Sequence, residues 1–472
     1  MKANRARIIA VSATVVTALL YGCKSATPPT TQETIEKALP NAKIPMVWTE
    51  AAEQGRVPEG WLTSFDDDKM EAIVGEALKH NLALQAASAR MDSAAGAARV
   101  AGASLKPVVG AAGGGNTADS VGAGLGISWE LDVWGRLRAI AAAGQANYEG
   151  AQLDYEFARQ SLAAQAAKSY FLVIETLKQL KLTEENVQIY QKLLDTLEAR
   201  AKVGKVGAQD TSLAKADLAS ANERRQESEA AHKEAVRSLE VILGRYPSAE
   251  LKASEEYPKV PPPPPAGMPS EILERRPDVA AAERRVLAAF QELQVAQLAK
   301  LPKISLSAAG GGSSGDLGGL LSGGSGYFGV GANFLAPIYT GGRLEAEIDI
   351  ATAEQKGAVA EYGQTALVAF TEVENSLSSE QSLKKRADLL QSVLKENENA
   401  LKLRKLEYDA GKADLLDVLN LQAKVNEAKS AVIYLHNLRL DERINLHLAL
   451  GGSFEVPPPA TQPSAQPTAP SR

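Results

Sequence analysis

One cysteine and four histidines among 472 residues leave almost no material for a thiol nucleophile, a disulfide framework or a zinc site. Positive charge is not in excess either: 51 Lys and Arg face 57 Asp and Glu, for a net charge of −6. The arginine pairs Arg224 and Arg225, Arg275 and Arg276, and Arg284 and Arg285 lie on Ala/Glu-rich stretches and form no basic stripe, which argues against nucleic acid. Beyond Leu20 no run of 18 apolar residues occurs, which excludes a transmembrane helix in the mature chain. A chain that crosses lipid without such a helix must do so as a closed barrel, because hydrocarbon leaves no backbone group a partner. No carboxylate pair and no Cys/His or Ser/His constellation rises above surface charge, so no catalytic residue, metal or cofactor is expected. The 45% hydrophobic content excludes a disordered chain.

The start of the chain carries an address. Lys2, Arg5 and Arg7 form a basic segment, Ile8 to Leu20 an apolar one too short to span a bilayer, and Leu20-Tyr21-Gly22-Cys23 follows. This resembles a bacterial lipobox, in which the signal (1–22) is removed and Cys23 is lipidated; an ordinary signal peptide with an incidental cysteine is the alternative. Lys24 is not the Asp that such lipoproteins use for inner-membrane retention, which favours anchoring in the outer membrane. Residues 23–65 read as an N-terminal tether and periplasmic segment, and 452–472, rich in Pro, Ala, Ser, Thr and Gln, as a disordered tail.

Laid on itself, the chain repeats. Gly135-Arg136-Leu137 recurs as Gly342-Arg343-Leu344, Tyr155 as Tyr362, Gly204-Lys205 as Gly411-Lys412, Asp210 as Asp417 and Leu243-Gly244 as Leu450-Gly451, every pair 207 apart. Upstream of these, Arg90 matches Arg285 and Pro107 matches Pro302, and the offset is 195. The fall from 207 to 195 means 12 more residues between Pro and GRL in the second copy, and insertion marks a loop. The first repeat is assigned to 66–259 and the second to 268–451, joined by the Pro-rich connector 260–267, a stiff spacer.

Each repeat reads as a helical stretch (Asp68 to Ala103; Pro269 to Ala299), a β-hairpin (about 105–134; about 302–340) and a long helical hairpin (136–244; 342–451). In the strands Ile127, Trp129, Leu131 and Val133 alternate with Ser128, Glu130 and Asp132, and Phe328, Val330, Ala332 and Phe334 with Gly329, Gly331 and Asn333. This pattern alone fits a soluble sandwich or a lipid-facing barrel. Trp129, Trp134, Phe334 and Tyr339 stand where interfacial girdles of a barrel would use them. The helical segments favour the barrel: Arg136 to Val203 and Arg343 to Ala410 contain no Pro, and each could form a rod of about 100 Å, too long for a globular domain. Val173, Leu177, Leu180, Val187, Leu194 and Ala201, like Leu383, Ala387, Leu390, Leu394, Leu401 and Tyr408, follow heptad spacing and call for a helical partner. Four strands cannot close a barrel, so copies of the chain must complete it, and three copies would give twelve strands around water.

The blocks SWELDVWGRLRA (128–139), GMPSEILERRPDVAAAERRV (267–286), LAPIYTGGRLEAEI (335–348), VGKVGAQD (203–210) and AGKADLLDVLNLQA (410–423) resemble the TolC-like outer membrane efflux factors, in their lipoprotein branch, over roughly residues 60–451. The resemblance implies a mainly α chain with a membrane β-barrel. A homotrimer would form a 12-stranded barrel continuous with a periplasmic α-helical tunnel, the passive exit duct of a tripartite pump. It implies a periplasmic adaptor and an inner-membrane RND-type transporter as partners, outer membrane lipid around the barrel, and no nucleic acid. It places the periplasmic gate at Leu416, Asp417 and Asn420, the last an amide where many relatives carry a carboxylate. It places adaptor contact at the tip turns, through Gly204, Lys205, Asp210, Gly411, Lys412 and Asp414. Asp210 and Asp417 also read as helix caps, and cap and gate roles can coexist. A non-channel coiled-coil lipoprotein, structural or adaptor in role, is the alternative function; it would need no amphipathic strand pairs.

Overall fold

A computed structural model describes residues 27–455 apart from 51, 117–119, 205 and 324. Cys23, the leader, Lys205 and the tail beyond 455 therefore lie outside the described residues. The chain is mainly helical with one four-stranded antiparallel sheet. In order the elements are α1 (Thr31–Ala38), α2 (Asp68–His80), α3 (Leu82–Ala103), β1 (Val108–Asn116), β2 (Ser120–Leu131), α4 (Arg136–Lys202), α5 (Ala208–Ile242), α6 (Ile272–Arg275), α7 (Pro277–Leu298), β3 (Lys303–Ser314), α8 (Leu317–Leu321), β4 (Ser325–Leu335), α9 (Arg343–Asp409) and α10 (Leu415–Ala449). The long helices α4 and α9 are each 67 residues, and α5 and α10 each 35. The two repeats are present as expected, and so is the insertion: β3 and β4 are joined by residues 315–324, which carry α8, whereas β1 and β2 are joined by 117–119.

The structure divides into two compact units. One, built from residues up to 42, 89–154 and 278–366, holds the sheet in the order β1-β2-β3-β4. In it Arg284 and Arg285 of α7 reach Glu149 and Asp154 of α4, so the second repeat's short helix packs on the first repeat's long one. Helix α1 docks here as well. Thr30 and Glu33 form its capping box, the Thr31 hydroxyl donates to Glu283 at 2.6 Å, and Ala38 closes on Gly363, where an added Cβ would lie 2.7 Å from the Ala38 carbonyl oxygen. The stretch expected as a tether thus contains a docked helix, because short cap chemistry and one glycine give it a seat.

The other unit, 43–88, 155–277 and 367 onward, has a core of Trp61, Phe65, Met70, Tyr170, Phe171, Ile174, Leu239 and Ile444. Trp48, which donates to the Ala266 carbonyl at 3.1 Å, and Val57 pack with Ile272, Val373 and Leu446, so the later part of the 23–65 segment is folded too. Asp67 accepts from the Lys69 and Met70 amides and caps α2, the plain role of the Asp66-Asp67-Asp68 run.

The two helical stretches expected to be continuous are each broken, at Asn81 and at Arg276, which have extended ψ of 125° and 121°. These positions are 195 apart, so the break belongs to the repeat. Pro277 forces it in the second copy by disfavouring α conformation at Arg276. In the first copy Asn81 caps the new helix, its Oδ1 accepting from the Leu84 amide at 3.0 Å. Each break receives the end of its own helical hairpin. The Asn81 side chain donates to the Ile242 carbonyl at 2.9 Å and the Arg276 guanidinium to the Ala449 carbonyl at 3.3 Å, donors for helix-terminal oxygens that would otherwise lack them. Gly244 and Gly451 turn left-handed there, at φ 71° and 68°, tight against His80 and Arg275.

Candidate functional site

The sheet has one register throughout, and residues paired across strands share a face. Val109, Ile127, Ala308 and Val330 make one row, Ala111, Leu125, Gly310 and Phe328 the next, and Trp129 with Leu306 and Ala332, then Leu131 with Ile304 and Phe334, complete an apolar face. The opposite face consists of rows such as Ser128, Ser307, Gly331 and Glu130, Ser305, Asn333. On that face Gly124 and Gly311 leave room for Tyr327, whose hydroxyl would lie 2.8 and 3.0 Å from a Cβ at those positions. No described strand residue is buried, and Ile127, Phe328, Val330 and Phe334 are 45, 79, 75 and 69% exposed. A half-buried strand of a soluble sandwich would hide that face. Strands of 9 to 12 residues also match the length that a tilted strand needs to cross a bilayer. No helix among the described residues is long and apolar enough to do so.

The junction from strand to helix explains the WELDVWGR block. Asp132 accepts from the Leu137 and Arg138 amides at 2.9 and 3.1 Å and from the Arg138 guanidinium at 2.8 Å, capping α4. Burial works against its charge, but these hydrogen bonds and the Arg138 charge outweigh it and hold its pKa below the usual carboxylate value. Glu130 pairs with Arg136 at 2.6 Å, and Gly135, at φ 88°, makes the turn. Trp129 donates to the Leu105 carbonyl at 3.1 Å and Trp134 to the Pro302 carbonyl at 2.7 Å, so both indoles clamp strand ends to neighbouring chain. Phe334 lies on the apolar face, and Tyr339, 90% exposed, follows β4.

At the far ends of the helical hairpins Gly204 and Gly411, both at φ 69°, accept the turn, with amides on the Ala201 and Tyr408 carbonyls. Every heptad residue named above is buried or half-buried. Leu194, Leu197, Ala214, Leu415 and Leu419 pack together, as do Leu401, Val418 and Val425, so the tips are held by facing helices. Leu416, Asp417 and Asn420 project from the first turns of α10 on an exposed side, Leu416 at 55%. Leu416 and Asn420 line a cavity of about 230 Å³ with Tyr190, Asp217 and Arg224. Asp210 accepts from the Gly207 amide at 3.3 Å, which makes it part of the α5 start. Asp417 makes no such cap: its carboxylate lies 3.6 Å from Arg404 of α9. Asp414 sits at the cap position without a side-chain cap bond, and Lys412 and Asp414 are exposed. Arg404, and Arg200 stacked over the Tyr408 ring at 5.3 Å, are tip residues that the sequence reading missed. Folding the sequence about Gly411 would have found Arg404, since it and Asp417 stand seven and six residues either side.

A sequence model described as outer membrane efflux protein matches residues 73–245 and 268–452, the two repeats without the connector. The pyoverdine export outer membrane protein OpmQ of Pseudomonas aeruginosa is 30% identical over 425 residues, covering 84% of this chain and 87% of that protein. The cation efflux system protein CusC of Escherichia coli is 29% identical over 406 residues, covering 83% of this chain and 88% of that one. The crystal structure of the outer membrane protein VceC from Vibrio cholerae superimposes with a TM-score of 0.78 at 25% identity, over 85% of this chain and all of that one.

Proposed function

Because the chain belongs to the outer membrane efflux protein family and is the outer membrane channel component of an efflux system, we propose that it works as a homotrimer. Twelve strands then close a barrel in outer membrane lipid, and the helical hairpins of three chains line a periplasmic tunnel. The observation that carries this reading is the sheet: its apolar face is bare and its outer strands, β1 and β4, have no further partner among the described residues. Both features are costly in water, and closure in lipid relieves them together.

In this reading Cys23 carries the acyl anchor, and the tip turns at 203–210 and 410–417 meet a periplasmic adaptor that bridges to an inner-membrane RND-type transporter. Leu416, Asp417 and Asn420 form the periplasmic gate, where threefold symmetry gathers three Asp417 carboxylates near one axis and favours cations. The channel is a passive conduit, with no catalytic step of its own. The relatives are named for unlike cargoes, pyoverdine and cations, so selection of cargo is assigned to the transporter. The test is the mass of the detergent-purified protein with its acyl anchor removed, together with single-channel conductance in a planar bilayer. A trimer with stable conductance is expected; a monomer soluble without detergent would overturn the reading.

A further inference from the structure

The second repeat is longer than the first between its Pro and its GRL, and part of that insertion is the short helix α8. Two glycines show where α8 lies. Gly312 of β3 belongs to the row Gly113, Ala123, Gly312 and Gly326, which continues the apolar face past Leu125 and Phe328. A Cβ built on Gly312 would lie 3.5 Å from the Leu320 Cδ1. Ser314, two residues further along β3, points to the same face, and a Cβ on Gly319 would overlap its hydroxyl. Helix α8 therefore folds back over the apolar face of the sheet and not over the polar face that carries Tyr327.

The row beneath α8 holds three glycines and one alanine, so at this height the strands themselves offer almost no apolar side chain. Leu320 covers part of the gap and is half-buried, whereas Leu317 and Leu321 are 62 and 82% exposed. Charge is sparse around them: Asp316 is the one charged residue between Lys303 and Arg343. Its carboxylate accepts from the Gly319 amide at 2.6 Å and starts the helix. At the other end the Ser322 amide and hydroxyl donate to the Gly318 carbonyl at 3.0 and 2.9 Å. The turn thus pairs backbone groups locally, which lowers the cost of lying at the edge of hydrocarbon.

Resting on the reading that the sheet forms a barrel in outer membrane lipid with its helices in the periplasm, we propose that α8 is a wedge seated in the outer leaflet. Leu317 and Leu321 lie among lipid acyl chains. Lipid is the occupant because the patch continues, through Leu320 over Gly312 and on to Phe328, the face that meets lipid in that reading, and because no charge interrupts it after Asp316. The wedge raises the apolar band of the second hairpin by one row beyond what its strands supply.

Depth-resolved fluorescence quenching of the full-length protein in phosphatidylcholine vesicles tests this. Leu321→Cys carries a nitrobenzoxadiazole label, and the quencher is a nitroxide placed either on the acyl chain or on the headgroup. Phe328→Cys on the apolar face and Ser307→Cys on the polar face serve as references, and the protein without an added cysteine sets the background from Cys23. The label at 321 should be quenched by the acyl-chain nitroxide about as strongly as that at 328 and several-fold more than that at 307. Quenching at 321 no greater than at 307, or by the headgroup nitroxide alone, overturns the wedge while quenching at 328 leaves the barrel standing. Absence of quenching at 328 overturns the barrel reading itself. As a second readout, Leu317→Asn with Leu321→Asn should lower insertion into thick dierucoyl vesicles several-fold against the parent chain and leave insertion into thin dilauroyl vesicles as it was; equal insertion of parent and variant in both overturns the added height.

Discussion

The short helices α3 and α7 hold the same place in the two repeats and have unlike surroundings. In α7 Val279, Ala281, Val286 and Ala288 are at most 3% exposed, whereas in α3 only Leu84 is buried and Leu82 and Val100 are 72 and 75% exposed. Both are Ala-rich, so composition does not account for the contrast. Both pack on α4, α3 through Ala98 and Ala101 against Gly144 and α7 through Arg284 and Arg285 on Glu149 and Asp154, but α7 also carries α1, whose Thr31 hydroxyl bonds Glu283. The corners at Asn81 and Arg276, by contrast, are satisfied inside the chain and look alike. In a duplicated chain, agreement between copies marks contacts that both repeats make, and disagreement marks contacts that only one of them makes.

The corners are where the likeness can be broken most severely. Gly244→Val places a branched residue at φ 71° with its Cβ 2.7 Å from the His80 carbonyl oxygen, so both strain and overlap oppose it. A loss of about 3 kcal/mol or more is expected, read as a fall in the melting temperature of the detergent-solubilised protein. Gly451→Val, whose nearest atom is 3.2 Å away, should cost less. Equal effects would show that φ alone governs both corners. Next in size, Arg276→Ala empties a site 3% exposed and removes donors to Glu372 and to the Ala449 carbonyl, for about 2–3 kcal/mol. Asn81→Ala removes a neutral amide from the matching corner and should cost about 1 kcal/mol.

A smaller effect separates the returning helices. Asp441 of α10 is pushed up to about 7 by burial, which Lys168 opposes and Glu175 and Glu442 reinforce, and Glu175 itself is pushed up to about 6 by burial. Its counterpart 207 residues earlier, Glu234, is exposed. A carboxyl whose folded pKa lies above its unfolded one favours the fold in its protonated form. Its stabilising contribution is therefore full below about pH 4 and is lost as pH rises toward 7. Asp441→Asn should flatten the fall in melting temperature between pH 5 and 8 and raise stability at pH 8, while Glu234→Gln should leave the profile unchanged.

Much of this is legible in the sequence. The two offsets located the longer second loop, the glycine turns at both tips and the helical hairpins, because turns and heptads are local and repeat with the chain. The breaks at Asn81 and Arg276 escaped, although Pro277 signalled one of them, because an Asn within an Ala-rich run reads as helix until the partner that its amide serves is known. The docked α1 escaped for a similar reason: its seat is Gly363, more than 300 residues away in sequence. At the strand-to-helix junction the sequence displayed the residues, but Asp132 as a cap and Trp134 as a clamp on Pro302 required the fold.

The tips sharpen the comparison with the least disturbance to the fold. Asp210 and Asp417 are equivalent by the repeat, yet Asp210 bonds its own helix start while Asp417 faces Arg404 across the hairpin. Both partners of the latter pair are well exposed, so Asp417→Asn should change stability by less than about 1 kcal/mol. Its effect should appear in transport instead: in the proposed trimer the change removes three carboxylates from one ring, and cation preference or divalent block in single-channel recordings should fall. Asp210→Asn, which keeps an acceptor for the Gly207 amide, should leave selectivity as it was. If neither variant alters selectivity, the asymmetry between the tips is structural only and Asp417 has no part in the gate; if Asp417→Asn alone alters selectivity, the second repeat carries the gate and the first supports it.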